Sequence, residues 1–215
     1  MNVLVTGFEP FGGESINSSL EAVKLLKGLT IAKAQLHVRE IPCVRYRSIE
    51  AVKEGIAECE PDIVLCIGQA GGRMDLSVER VGINIDDFRI PDNAGNQPID
   101  EPIVIGAPSA YFSPLPIKEI AAAVRATGVP AAVSNSAGTF VCNHVFYGIL
   151  HELAVEGRGR RGGFIHIPYL PEQAACRTSP QPSMSLHTVV AGLKAAIETA
   201  VINFYNQSEA GRTIR

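Results

Sequence analysis

The stretch Asp62-Ile-Val-Leu-Cys-Ile-Gly68 limits the possible folds more than any other part of the chain. Its apolar run is continuous instead of alternating, so it needs cover on both faces, as strands of a parallel sheet have in α/β proteins. Cys66 lies inside it and reads as core. The run ends in Gly68-Gln-Ala-Gly-Gly72, a flexible loop at the carboxyl end of a strand, where open α/β sheets place their ligands. Gln69 offers that loop both an amide donor and an acceptor.

The rest of the chain supplies matching elements. Asn2 to Thr6 and Leu36 to Ile41 read as strands, each followed by a helix, from about Ser18 to Leu26 and from about Tyr46 to Glu58. Asn17 or Ser18 is the expected cap of the first helix. Leu76 to Ile85 alternates, which marks a strand with one wetter face and puts Glu79 and Arg80 on opposite faces. Asp86 to Gln97 is dense in turn formers, and the excursion reaches about Pro114. A helix over Ile117 to Thr127, a strand over Ala131 to Ser134, a helix over Val141 to Glu156 and a strand over Gly163 to Pro168 follow. A proline-punctuated loop from Pro171 to Pro182 leads to a last helix, from Ser185 to Tyr205, with a fraying tail after Gln207. The order predicts an α/β fold: one three-layer α/β/α domain over residues 1–215 with a mixed, mostly parallel sheet.

A chain of 215 residues fits one such domain, and 46% hydrophobic with 19% charged residues excludes disorder. The net charge of -3 argues against a nucleic-acid partner, and the one basic cluster, Arg158-Gly-Arg160-Arg161, reads as a solvated turn. With no signal peptide pattern and no apolar run of membrane-spanning length, a cytoplasmic, membrane-free protein is expected. Five cysteines without CxxC spacing suggest reduced thiols, with neither a disulfide framework nor a metal site. Gly7 and Gly12 imitate a phosphate-binding loop, but Gly13 and Glu14 replace its Lys and Ser or Thr, so no nucleotide cofactor is expected. Phe8 and Phe11 around Pro10 suggest a stiff apolar wall, either of a pocket or of the core.

Cys142 is the candidate nucleophile. It falls in the first turn of its helix, after the Ala137-Gly138 turn, where unpaired N–H groups and the macrodipole favour a thiolate and a lowered pKa. The alternative is a small buried apolar side chain. A thiol nucleophile needs a base held by a third group. His144 lies two residues on, a rotation of about 200° around the helix, and points away. His151 shares the His144 face without completing a metal set, and His37 and His187 read as structural. His166, in an otherwise apolar strand, is the remaining candidate base, with Glu79 as its carboxylate. Spacing alone leaves open a histidine merely satisfied in the core.

Taken together, Thr6-Gly-Phe-Glu-Pro-Phe-Gly-Gly13, Gly68-Gln-Ala-Gly-Gly-Arg73, Glu79-Arg80, Arg89-Ile-Pro-Asp-Asn93, Ser136-Ala-Gly-Thr-Phe-Val-Cys-Asn-His144 and Gly162-Gly-Phe-Ile-His-Ile-Pro-Tyr169 closely resemble the pyroglutamyl peptidase I family. The resemblance implies a cofactor-free cysteine peptidase that removes N-terminal pyroglutamyl residues from peptides. Cys142 would be the nucleophile, His166 the base then acid, Glu79 the orienting carboxylate and Arg89 an oxyanion partner. Phe11, Gln69 and Phe140 match the substrate pocket. A homotetramer is also implied. Two other readings are a glutamine amidase using the same thiolate and a catalytically idle binding module with the same pocket.

Overall fold

The computed structural model describes the backbone of residues 1–213 and side chains through residue 207. In chain order the elements are β1 (Asn2–Phe8), α1 (Ser18–Lys24), β2 (Thr30–Ile31), β3 (Ala34–Ile41), α2 (Arg47–Cys59), β4 (Ile63–Gln69), β5 (Leu76–Glu79) and β6 (Val81–Ile83). There follow β7 (Ala110–Phe112), α3 (Ile117–Ala126), β8 (Ala131–Ser134), α4 (Val141–Glu156), β9 (Arg161–Ile167), α5 (Pro171–Ala175) and α6 (Leu186–Thr213).

Seven strands form one sheet in the order β2-β3-β1-β4-β9-β5-β8. β3, β1, β4 and β9 run parallel, β5 turns antiparallel to β9, and β8 pairs parallel with β5. The mixed, mostly parallel sheet flanked by helices agrees with the expected fold class.

Strand residues alternate between faces, so each strand divides its side chains between two cores. Val3, Val5, Ile63, Leu65, Ile165 and Ile167 pack with Leu20, Ile120, Val189 and Leu193, from α1, α3 and α6. Leu4, Val64, Cys66 and Phe164 pack with Val52 of α2 and with Val141, Val145 and Ile149 of α4. Continuous apolar strands are the result, as the β4 run required. Gly7 allows α1 to settle on β1, because a Cβ there would lie 2.7 Å from Val23 Cγ2 and 2.9 Å from Leu20 Cα. Its place in a phosphate-loop-like spacing is thus a packing demand. Asn17 caps α1 by accepting from the Ser19 N–H.

Several boundaries differ from the sequence reading. The alternating stretch is two strands, since Arg80 leaves the main sheet and β6 pairs with β7 in a separate antiparallel ribbon. β5 itself is buried on both faces, so its expected wetter face is instead the interior of the site. The Pro171 to Pro182 loop contains the short helix α5, begun by Pro171, a residue suited to a helix start. α6 continues to Thr213, beyond the expected end at Tyr205. The fraying expected after Gln207 concerns a tail whose side chains lie outside the described residues.

Candidate active site

Cys142, His166 and Glu79 belong to the same face of the sheet. β9 residues of the parity of Phe164 and His166, and β5 residues of the parity of Ser77 and Glu79, point toward α4. Gly68 is the register partner of His166 on β4. A Cβ on Gly68 would sit 3.1 Å from Cys142 Sγ and 2.7 Å from two carbons of the Phe164 ring. The thiol therefore rests over a glycine, next to the strand that carries His166. Gly68→Ala is expected to cost about 1–3 kcal/mol of stability through overpacking. Displacing Sγ is also expected to lower kcat/KM on the order of a hundredfold. Thermal melting with steady-state kinetics on one sample measures both.

His166 Nδ1 lies 2.7 Å from Glu79 Oε1. An ionised carboxylate only accepts, so Nδ1 carries the hydrogen and Nε2 is the free base. Glu79 is fully buried, and the same Oε1 accepts from Arg73 Nη1 at 2.7 Å. Burial alone would raise the Glu79 pKa, but the His166 hydrogen bond and the nearby Arg73 charge outweigh it and hold the carboxyl below its ordinary value. Burial holds the His166 pKa below 6.5, only partly opposed by Glu79, so the imidazole rests neutral.

The thiol departs from the sequence expectation. Burial of the sulfur, reinforced by the Glu79 charge, pushes Cys142 up to about 12, against a smaller opposing pull from Arg73. The helix N-terminus was expected to lower it, and α4 has no side-chain cap at Phe140 to compete for its first N–H groups. The low-dielectric setting and the neighbouring carboxylate outweigh that half-charge. Cys142 therefore rests as a thiol and His166 as a neutral imidazole.

The polar residues after Cys142 serve as anchors. Asn143 Oδ1 accepts from the Ile83 N–H at 3.0 Å, and its Nδ2 donates to the Ile83 and Ile85 carbonyls at 2.9 and 3.0 Å. His144 is fully buried, with Nδ1 2.8 Å from Asp86 Oδ2 and Nε2 accepting from the Tyr46 N–H at 2.8 Å. Both its ring nitrogens are engaged, so it cannot act as the base. Together they fasten the excursion between β6 and β7 to α4. Thr139 Oγ1 donates to the Asp87 carbonyl at 2.8 Å, and Asn93 Nδ2 donates to the Pro10 carbonyl at 2.9 Å. The excursion is thereby held against the loops before α4 and after β1. His151 pairs with the Tyr111 hydroxyl at 3.0 Å and His37 with Asn2 at 3.2 Å, while His187 is exposed at the start of α6.

These loops enclose a cavity of about 520 Å³ lined by Phe11, Gln69, Arg89 and Phe140, with Gly71, Thr139 and Tyr169 among its other walls. Phe11 and Phe140 have ring centroids 5.8 Å apart, and Phe88 packs edge-on to Phe140 at 4.8 Å. Arg89 is exposed on the wall. Arg177 closes the outer end, ion-paired with Glu14 and 4.7 Å above the Tyr169 ring. The sequence reading gave no role to Arg73, Phe88 or Gln173. A signal for Arg73 existed, because a buried Glu79 needs a counter-charge and Arg80 points the other way. Phe88 was hidden in turn-forming sequence, and Gln173 in a proline-rich loop.

A model of the pyroglutamyl peptidase family matches residues 1–203. The pyrrolidone-carboxylate peptidase of Brevibacillus brevis is 56% identical over 199 residues, covering 93% of this chain and 92% of its own. A Ralstonia nicotianae pyrrolidone-carboxylate peptidase is 56% identical over 209 residues, 97% of each chain. The crystal structure of Bacillus amyloliquefaciens pyroglutamyl peptidase I superposes with a TM-score of 0.90 at 50% identity, covering 93% of this chain and 96% of that one. A mutant pyrrolidone carboxyl peptidase from Pyrococcus furiosus gives 0.91 at 46% identity, over 94% and 99% of the two chains.

Proposed function

The chain belongs to the pyroglutamyl peptidase family and is a peptidase, and on that premise we propose that it removes N-terminal pyroglutamyl residues through Cys142, His166 and Glu79. The observation that carries the mechanism is the juxtaposition of a thiol over Gly68 with a neutral histidine whose Nδ1 is held by a buried carboxylate.

In this mechanism the pyroglutamyl ring packs against the paired Phe11 and Phe140 rings, on the apolar side of the cavity. Pyroglutamate has no ammonium group, so its pocket needs no acid or metal to hold a charge. Gln69 pairs with the lactam, and rejection of proline follows because its ring has no carbonyl to satisfy that amide. His166 Nε2 takes the Sγ proton as Sγ bonds to the scissile carbonyl carbon. The carbonyl oxygen becomes an oxyanion, stabilised by the Cys142 N–H and Arg89. The imidazolium then gives its proton to the leaving amine, and the C–N bond breaks to leave a thioester. Water, deprotonated by His166, attacks that thioester. Pyroglutamate leaves and Sγ recovers a proton.

The active form is the neutral pair, which fixes the sign of the pH dependence. Protonation of His166 removes the base, so kcat/KM falls as pH drops through a value below 6.5. With the thiol pushed up to about 12, no falling alkaline limb appears near neutrality. Alkylation of Cys142 by iodoacetamide, followed against pH by peptide mapping, is expected to keep accelerating above about pH 9. A plateau at neutral pH would mean a resting thiolate-imidazolium pair.

The resemblance also supports a cytoplasmic homotetramer built from one catalytic domain over residues 1–215. Ile105 and Phe112, 89% and 71% exposed, are apolar surface that an assembly would cover. The activity is tested by incubating the protein with a pyroglutamyl peptide and separately with glutamine. Free pyroglutamate and a new N-terminus are expected, without ammonia from glutamine. An intact peptide, or ammonia release alone, would overturn the proposal.

A further inference from the structure

Gln69 lines the cavity at 8% exposure, and its orientation is decided by a chain of hydrogen bonds behind it. Its Oε1 accepts from the Ser18 backbone N–H at 2.9 Å and from Gln173 Nε2 at 2.8 Å. A backbone N–H can only donate, so the atom facing Ser18 is the oxygen. Gln69 Nε2 is left for the cavity. Gln173 is fixed by the same reasoning, since the Leu170 N–H donates to its Oε1 at 3.0 Å and turns its Nε2 toward Gln69. Gln173 is 4% exposed and does not line the cavity. It also donates weakly to the Ile16 carbonyl at 3.3 Å and to Glu14 Oε2 at 3.4 Å.

We propose that Gln173 is a positioning residue for substrate specificity: by donating to Gln69 Oε1 it presents the cavity with an amide that only donates, selecting rings that carry a carbonyl. The sequence reading gave Gln69 both roles, but its acceptor is consumed inside the protein. A flipped Gln69 would set its NH2 against both the Ser18 N–H and the Gln173 NH2, leaving buried donors unpaired. The inference rests on the pyroglutamyl pocket proposed above and adds which lactam atom Gln69 reads. That atom is the ring carbonyl oxygen, and the ring N–H must find its acceptor elsewhere.

Two variants and one small ligand test it. The ligand is 2-pyrrolidone, the bare lactam ring, whose inhibition constant reports the pocket without chemistry. Gln173→Met is expected to raise this constant and the KM for a pyroglutamyl amide on the order of tenfold. kcat and the alkylation rate of Cys142 stay near wild type, since the lost contact binds ground and transition states alike. Gln173→Glu supplies a signature that a purely structural role would not. Ionised, the new carboxylate faces Gln69 Oε1 without a donor. Protonated, it donates to that oxygen while still accepting from Leu170. Its inhibition constant is therefore expected to be raised on the order of tenfold or more at about pH 8 and to fall back toward wild type as the carboxyl protonates. Unchanged inhibition in both variants would overturn the inference, as would a loss in Gln173→Glu that ignores pH. If Gln173→Met fails to fold, as thermal melting would show, the pH series on Gln173→Glu decides alone. Wild-type protein that neither cleaves a pyroglutamyl amide nor binds 2-pyrrolidone would refute the pocket itself and this inference with it. Failure of the Gln173 role alone leaves both wild-type properties intact.

Discussion

Cys142→Ser is expected to lower kcat/KM by at least about 10⁴-fold while the protein stays folded. The replacement is nearly isosteric over Gly68, so the packing of α4 on β4 and β9 should be kept and the melting temperature should move little. The chemistry is another matter. The site already pushes a thiol up to about 12 through burial and the Glu79 carboxylate, and a hydroxyl begins far above a thiol. His166, held below its ordinary value by burial, is too weak a base to remove that proton. Activity and melting measured together on the purified variant provide the check. Wild-type turnover in Cys142→Ser would remove Cys142 as nucleophile.

Glu79→Gln is expected to cost about 10²–10³-fold, almost entirely in kcat. The glutamine carbonyl can still accept from Arg73 and from His166 Nδ1, which keeps the ring tautomer and orientation. What it cannot do is stabilise the imidazolium that forms when His166 takes the thiol proton. Arg73, 29% exposed at its side chain, then faces the imidazolium without an intervening negative charge. Substrate affinity should change little, since Glu79 does not line the cavity. The pH dependence of stability changes in a defined direction as well. A carboxyl held below its ordinary value in the folded state stabilises the protein above the unfolded-state pKa. That contribution is lost as pH falls through the folded value. The melting difference between wild type and Glu79→Gln should accordingly shrink in acid. Unchanged kcat with an unchanged pH profile would leave Glu79 as a structural residue only.

Much of the architecture could be read from local pattern, because the pattern and the tertiary demand agree. The β4 run announces a doubly covered strand, and β8 and α4 occupy the expected Ala131–Ser134 and Val141–Glu156. The failures are places where a long-range contact decides. Alternation from Leu76 to Ile85 slips by one position at Glu79-Arg80, and there the chain passes from one sheet to the other: the Arg80 N–H still donates to the Ser134 carbonyl beside β5, while its own carbonyl accepts from Ser113 beside β7. Neither partner is visible from residues nearby. α5 has five residues, too few to show a helical period. At the site, Cys142, His166 and Glu79 can be singled out by residue type and element. The state of the thiol cannot, since it depends on Gly68 and Cys66 from β4, Phe164 from β9 and Glu79 from β5. Likewise Phe11 and Phe140 suggest a slot, but Phe88 joins them because Asn143 and His144 fasten the excursion to α4 and Thr139 pairs with Asp87. The Cys-Asn-His sequence thus combines a candidate nucleophile with two anchors, and only the fold separates the roles.

The most direct test of the central claim is hydrolysis of a pyroglutamyl chromogenic amide beside its prolyl analogue during progressive alkylation by iodoacetamide. Release is expected from the pyroglutamyl compound alone, falling in proportion to the fraction of Cys142 found alkylated by peptide mapping. Release that persists with Cys142 fully blocked, or equal release from the prolyl compound, would contradict it.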